Sequence, residues 1–150
     1  CSQSQVDKHD SSRRFLAYQR ARLYAERLQA PVSVEELARA LGVSRRTLEL
    51  GFREAAGVSP QAFLRCARLN GVHRDLVAAD PGSVTVTQVA EKWGFTELGR
   101  AAGYYRALFG VSPSATLRRD SQPRGLRISD ILCESQATSL AEEEVVTSAA

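Results

Sequence analysis

The most constraining feature of this chain is an internal repeat. The segment FREAAGVSPQAFLR at 52–65 returns as YRALFGVSPSATLR at 105–118, shifted by 53 residues. Each copy follows a second matched phrase, LARALGVS at 37–44 and VAEKWGFT at 89–96. In both phrases an Ala stands four residues before a Gly, and a Ser or Thr stands two residues after it. That spacing is typical of two helices that meet at a sharp turn, so the repeat predicts two helix-turn-helix units and contact with duplex DNA.

The turn residues have separate expected tasks. Ala38 and Ala90 let the helix backbones approach each other, while Gly42 and Gly94 relieve the bend where the chain needs a left-handed or cramped conformation. A hydroxyl that follows each Gly can accept hydrogen bonds from the exposed amides of the next helix.

Helix signals divide the segment 13–119 into seven predicted helices, with almost no strand signal, so the fold class is all-α. In the first helix, the large apolar residues fall near one another at helical spacing. Those residues are Phe15, Leu16, Leu23, Tyr24 and Leu28. The first predicted helix is 13–29, and the second begins at a capping box of Ser33 and Glu36 and ends at Leu41. The third runs from Ser44 to Gly57 with Leu48, Phe52 and Ala55 facing inward, and the fourth begins at Pro60. The last three run from about Thr87 to Trp93, from the capping residue Thr96 to Phe109, and from Pro113 to about Arg119.

Charge separates this body from its flanks. Residues 13–119 hold 17 Lys and Arg against 9 Asp and Glu, and 16 of those cations are Arg. Residues 120–150 hold 2 against 6 and are expected to form an acidic, disordered tail, and residues 1–12 a linker or disordered N-terminal remnant. Within the body, 13–59 is predicted as the first unit, 60–79 as the linking helix and 80–119 as the second unit.

Composition narrows the setting. No apolar run approaches the roughly 20 residues of a membrane span, and three scattered Cys residues suit a reducing cytoplasm better than a disulfide framework. The chain has no Met and begins with Cys, so we expect it to be the C-terminal piece of a longer protein. His9 and His73 lack the partners that a metal site needs, and no cofactor is expected.

The tandem units, the GVSP phrase after each second helix, RCARLNGVHRDL and GFTELGRAAGYYRALFGVSPSATLR together resemble the DNA-binding domain of AraC/XylS family bacterial transcription regulators. The resemblance covers about residues 13–119. It implies two recognition helices in successive major-groove segments, held at that separation by the linking helix. It further implies promoter DNA and RNA polymerase as partners, an activating role and a separate N-terminal effector or dimerisation domain.

The first turns of each second helix are the expected DNA contacts, because a helix-turn-helix presents these turns to base edges. Arg46 is our choice for reading guanine and Glu49 for accepting from cytosine, while Arg45 also contacts bases or holds phosphate. The complete set of predicted base contacts is Arg45, Arg46, Glu49, Leu50, Leu98, Gly99 and Arg100, and that of predicted phosphate contacts is Ser44, Arg53, Thr96, Glu97 and Arg106.

Some of these roles stay open at the level of sequence. Arg45 and Arg46 could form an ordinary solvated helix face, and Arg53 and Arg106 could pair with acidic neighbours instead of phosphate. The second unit also departs from the family pattern, with Ala101 on its inner face and Gly103 where Arg is frequent. We therefore expect it to be less rigid and less base-specific than the first unit.

Two other functional classes compete with a DNA-binding regulator. The chain could be the DNA-binding segment of a repair or other DNA-modifying enzyme, but Cys66 and Cys133 lack an activating neighbour, so no enzyme activity is predicted. A helical protein-interaction domain is the third interpretation, and it does not call for basic residues at the first turns of both second helices.

Overall fold

Glycines and capping residues divide the chain into seven helices in the computed structural model, which describes residues 2–119 and side chains from residue 5. No strand occurs in this range, which confirms the all-α prediction. None of the described helices is long and apolar enough to cross a membrane. The predicted acidic tail, 120–150, lies outside the described residues. The helices are α1 (Ser2–Glu26), α2 (Val34–Leu41), α3 (Arg45–Ala56), α4 (Pro60–Ala78), α5 (Val86–Lys92), α6 (Leu98–Phe109) and α7 (Pro113–Arg118).

Side-chain caps set the start of several helices. The predicted capping box of α2 is confirmed, because Ser33 Oγ accepts from the Glu36 amide at 3.2 Å and Glu36 Oε2 accepts from the Ser33 amide at 2.8 Å. A second capping box opens α5, with Thr85 and Gln88 making the same reciprocal bonds at 3.1 and 3.0 Å. Each box satisfies amides that a helix N-terminus otherwise leaves without partners.

Helix α1 differs from its prediction in both length and orientation. It begins at Ser2, where the sequence predicted linker or disordered chain through residue 12, and residues 5–13 are exposed. The segment contains no Gly or Pro before Pro31, so helix propagates outward from the packed turns. Its buried face is made of small residues and one tyrosine, so most of the predicted apolar stripe faces solvent instead, while Leu28, beyond the end of the helix, is buried as predicted. The buried residues are Ala17, Tyr18, Ala21 and Ala25, and the exposed ones are Phe15, Leu16, Leu23 and Tyr24.

The described chain forms two units, and unit 1 comprises residues 2–27 and 32–64. Its core centres on Phe52 of α3, whose ring packs edge-on against Tyr18 of α1 at 5.1 Å and against Phe63 of α4 at 4.8 Å between centroids. Helix α1 approaches α3 closely at Gly51, where a Cβ would lie 2.4 Å from the Arg14 carbonyl oxygen. The small face of α1 therefore allows a short distance between the two helix backbones. On α3, Ala55 is exposed, so its predicted burial is wrong, and Ala56 is buried in its place.

Unit 2 comprises residues 28–31 and 65–119 and has its own core. Trp93 is buried against Gly71 of α4, and its indole nitrogen donates to Asp75 Oδ2 at 2.9 Å. Tyr105 of α6 is fully buried and donates to Thr116 Oγ1 at 2.9 Å. A cavity of about 40 Å³ lies beside Ala101 and is lined mainly by apolar side chains.

Candidate nucleic-acid interface

The turn between α2 and α3 is held by its own backbone. Gly42 adopts a φ of 67°, which favours glycine, and its amide donates to the Arg39 carbonyl at 3.1 Å. The Val43 amide donates to the Ala38 carbonyl at 3.0 Å. This pair of bonds satisfies carbonyls at the end of α2 and fixes the direction in which α3 leaves the turn.

The turn between α5 and α6 repeats these bonds. Gly94 has a φ of 80°, its amide donates to the Glu91 carbonyl at 2.9 Å, and the Phe95 amide donates to the Ala90 carbonyl at 3.0 Å. The two turns thus share one hydrogen-bond pattern around the matched Ala and Gly positions.

The second turn is one residue longer than the first. Gly94 follows Gly42 by 52 positions, whereas the buried Tyr105 follows the buried Phe52 by 53. Glu97 consequently precedes α6 without any side-chain cap, and the prediction that Thr96 caps this helix is wrong. In unit 1 the hydroxyl of Ser44 does cap α3, accepting from the Thr47 amide at 3.1 Å. The inserted residue moves the exposed Thr96 out of the capping position.

The first turns of α3 carry four predicted base contacts on one surface. Arg45, Arg46 and Glu49 are exposed, and Leu50 is partly exposed. Arg45 Nε donates to Glu49 Oε1 at 2.8 Å, and Arg45 also pairs with Glu35 of α2. The hydrogen bond to Glu49 and the charge of Glu35 raise the pKa of Arg45 above its ordinary value.

Arg46 differs from its neighbour. Within residues 5–119 it makes no hydrogen bond or ion pair, so its guanidinium has five donors that the described protein leaves to solvent or ligand. Two adjacent arginines on one helix turn therefore have different surroundings: Arg45 is held in a small acidic network, and Arg46 is available.

The corresponding surface of α6 is nearly bare. Leu98 is partly exposed, Gly99 and Gly103 are exposed, and a Cβ placed on either glycine would meet nothing within 4 Å. Arg100 is the one long cationic side chain in the first turn of α6, and its Nη1 lies 3.3 Å from Glu97 Oε2. Both side chains are 68% exposed, so solvent screens this ion pair and it restrains Arg100 weakly.

The arginines in the last turns of α3 and α6 occupy equivalent positions. Arg53 and Arg106 are exposed, and their carbonyls accept from the amides of Gly57 and Gly110. Neither side chain forms an ion pair in the described part of the chain, so the alternative pairing with acidic neighbours is not observed. The nearby Glu54 pairs instead with Arg14 of α1, at 2.9 Å.

A cleft between α1 and α3 lies beside Arg46 and was missed at the level of sequence. We call it the basic cleft, and its volume is about 190 Å³. The sequence carried one signal for it, because a glycine at position 51, on the inward face of α3, indicates close approach of another backbone. The residues that line the basic cleft are Asp10, Arg13, Arg14, Arg46, Thr47 and Leu50.

His73 belongs to the interior of unit 2. Its ring stacks on Phe109 at 4.4 Å, and its Nδ1 lies 2.8 Å from the Tyr105 hydroxyl. Burial lowers the pKa of His73 below its ordinary value. The side chain thus has a packing role that links α4 to α6.

Comparison with known proteins identifies relatives of the segment that contains both turns. A family model described as a helix-turn-helix domain matches residues 37–119, which include both turns. The "Probable thc operon regulatory protein" of Rhodococcus erythropolis is 46% identical over 90 residues, covering 60% of this chain and 27% of that protein. The "XylDLEGF operon transcriptional activator" of Pseudomonas putida is 35% identical over 94 residues, covering 63% and 29%. The chain thus spans little more than a quarter of the length of these relatives.

Solved structures give the same picture. A probable AraC family transcriptional regulator from Rhodopseudomonas palustris CGA009 has a TM-score of 0.59 and 35% identity, over 71% of this chain and 98% of that one. A transcriptional regulator with an AraC-type DNA-binding domain from Chromobacterium violaceum has a TM-score of 0.55 at 24% identity, over 79% and 98%. The second likeness concerns the fold alone.

Proposed function

Because this chain belongs to the AraC/XylS family of transcription regulators, we propose that α3 and α6 read successive major-groove segments of one DNA site. The chain is a DNA-binding module, and this reading mechanism is its finer proposed form. One observation carries the proposal: each unit has a glycine turn followed by a helix whose first turn exposes an arginine, Arg46 in unit 1 and Arg100 in unit 2. Arginine is the side chain best suited to guanine in the major groove.

In this proposal α3 and α6, the two reader helices, contribute unequally to sequence preference. Arg46 supplies the main base contact of unit 1, and Arg45, Glu49 and Leu50 shape the surface around it. In unit 2, Arg100 alone reaches far from the helix, because Gly99 and Gly103 present no side chain. The first unit therefore supplies most of the sequence preference, and the second supplies most of its contacts as backbone approach and phosphate binding.

Phosphate contacts are proposed around these readers. The N-terminus of α3 with Ser44, and Arg53 at its other end, face the DNA backbone in unit 1. Thr96, Glu97 and Arg106 stand near the corresponding ends of α6, where Glu97 contributes the backbone of the uncapped helix N-terminus and not its carboxylate. Helix N-termini favour phosphate because their free amides and dipole point outward.

The setting of the whole protein is proposed from its relatives. One relative is named a transcriptional activator, so we propose that this chain belongs to an activator acting on promoter DNA in the bacterial cytoplasm, in contact with RNA polymerase. The greater length of the relatives supports an additional N-terminal effector or dimerisation domain. We propose no catalytic activity, because burial within α4 separates the Cys66 thiol from solvent. Cys133 lies outside the described residues.

Selection of preferred duplexes from a random library, followed by titration of the winner across a salt series, tests the proposal. An asymmetric site with two segments about 34 Å apart is expected, with a steep salt slope. Arg46→Ala should weaken binding by about 1–3 kcal/mol and relax one base position, and Arg100→Ala should relax preference less. Arg27→Ala, an exposed arginine outside both recognition helices, is the matched control. Salt-dependent binding without any selected motif would contradict sequence reading by either helix.

A further inference from the structure

We propose that the basic cleft is a phosphate-binding site through which α1 grips the DNA backbone beside the base pair that Arg46 reads. This inference rests on the proposed function, and it adds α1 as a third DNA-contacting helix. The relevant ligand is a phosphate group of duplex DNA.

The net positive charge of the basic cleft favours binding of an anion. Three arginines and one aspartate line it, and only Arg14 is engaged by an acidic partner, Glu54. Within the described chain, Arg13 and Arg46 make no ion pair or hydrogen bond. Cations gathered in a concave site focus a positive potential, which attracts anions and offsets the mutual repulsion of the guanidinium groups.

The size and shape of the basic cleft suit a phosphate. Its volume of about 190 Å³ is far more than a single water needs, so an anion of several heavy atoms fits. Leu50 gives one wall an apolar surface that a deoxyribose can contact. Thr47 contributes a hydroxyl, which is already bonded to Ser44 at 2.8 Å and is thereby oriented.

Close packing fixes the arginine of α1 next to that of α3. At Gly51 the backbone of α1 approaches so closely that a Cβ would lie 2.4 Å from the Arg14 carbonyl oxygen. Arg13 therefore has its Cα held at a defined place beside the first turns of α3. The Arg13 guanidinium, placed in this way, can bind a phosphate with paired hydrogen bonds at little cost in backbone order, which leaves Arg46 to the base that it reads.

The N-terminal turns of α1 are helical although they bury little surface. Residues 5–13 are exposed, so this stretch contributes little to the core of unit 1. It nevertheless brings Arg13 and Asp10 to the edge of the recognition surface. A DNA backbone bound in the basic cleft would contact these exposed turns of α1, which make few contacts within the protein.

Charge-neutralising variants of this chain test the inference on the selected duplex. Arg13→Gln should flatten the plot of log affinity against log salt by about 0.9, the value of one phosphate contact. Its loss of affinity between 50 and 200 mM salt should then be about 3.5-fold smaller than that of the wild type. The matched control is Arg27→Gln, which removes the same charge from an exposed position outside the cleft and should leave the slope unchanged.

A second pair of variants should act in the opposite direction. Asp10→Asn removes the one negative charge among the described residues that line the basic cleft and should raise affinity several-fold at low salt. Asp7→Asn, on the same helix but outside the lining, should not. A gain of affinity cannot result from misfolding. One neutral methylphosphonate at the contacted position of the duplex should weaken binding by the wild type more than binding by Arg13→Gln.

The two proposals fail in different ways. If the wild type shows no salt-dependent duplex binding, the proposed function itself is overturned. If the wild type and Arg46→Ala behave as expected while Arg13→Gln matches Arg27→Gln in slope, the basic cleft does not hold a phosphate and only this inference is overturned. Equal affinities of Asp10→Asn and Asp7→Asn would likewise overturn the phosphate site and leave the proposed function standing.

Discussion

Replacing glycine by alanine at two helical positions should give opposite changes in stability. Both Gly51 of α3 and Gly103 of α6 lie within helices, where alanine is favoured by about 1 kcal/mol. A Cβ at Gly103 meets nothing within 4 Å, so Gly103→Ala should raise the free energy of unfolding by about that amount. For a domain near 100 residues this corresponds to a rise in Tm of about 4 °C.

At Gly51 the same methyl group would meet the Arg14 carbonyl oxygen at 2.4 Å, where ordinary contact begins at 3.4 Å. Relief requires α1 or α3 to move by about 1 Å, and such overpacking costs about 1–3 kcal/mol. Since the obstructing atom belongs to the backbone, we take the upper end, and the net effect after the gain in helix propensity is a loss of about 2 kcal/mol.

Urea denaturation followed by far-ultraviolet circular dichroism measures both variants against the wild type. Gly99→Ala, which also has open space around it, serves as a second control within α6 and should resemble Gly103→Ala. If Gly51→Ala proves as stable as Gly103→Ala, the close approach of α1 to α3 is refuted, and with it the reasoning that places Arg13 beside Arg46.

Three further predictions concern unit 2. Ala101→Val should fill the neighbouring cavity of about 40 Å³ and raise the free energy of unfolding by up to about 1 kcal/mol. Ala107→Val, at an exposed position of the same helix, should give no gain in chemical denaturation. The pKa of His73 is lower in the folded than in the unfolded state, so its stabilising contribution is complete above pH 6.5. The contribution declines as pH falls below that point, because only the unfolded chain then takes up the proton. Thermal melts should show Tm falling with pH in this range for the wild type, and His73→Gln should remove that dependence. Asp75→Ala should cost about 1–3 kcal/mol because the buried indole nitrogen of Trp93 loses its acceptor, and Asp75→Asn, which keeps an acceptor oxygen, should retain most of that stability in the same melts.

Local signals in the sequence predicted the boundaries of α2, α3 and α4 well. The capping box of Ser33 and Glu36, the proline at Pro60 and the glycine at Gly57 each act within one helix turn, so neighbouring residues determine the outcome. The internal repeat predicted two equivalent turns, and the family comparison confirmed the class of protein. These features need no knowledge of tertiary packing.

Tertiary packing decided the features that sequence did not predict. The large residues of α1 pointed to a conventional apolar face, yet α1 packs by its alanines because Gly51 permits a short distance between helices. In the second turn, alignment of Thr96 with Ser44 assumed equal turn lengths, and one inserted residue made Glu97 the N-cap instead. The contact roles of individual arginines stay predictions, although the different surroundings of Arg45 and Arg46 distinguish them.

The bare surface of α6 has a consequence for how binding specificity can change over evolution. Side chains introduced at Gly99 or Gly103 project into open space, and each replacement removes a helix-weakening glycine. New base contacts can therefore arise in unit 2 without first loosening its core. If Arg46 reads a base as proposed, one or two substitutions on α6 can change the preferred operator while unit 1 maintains binding to related DNA.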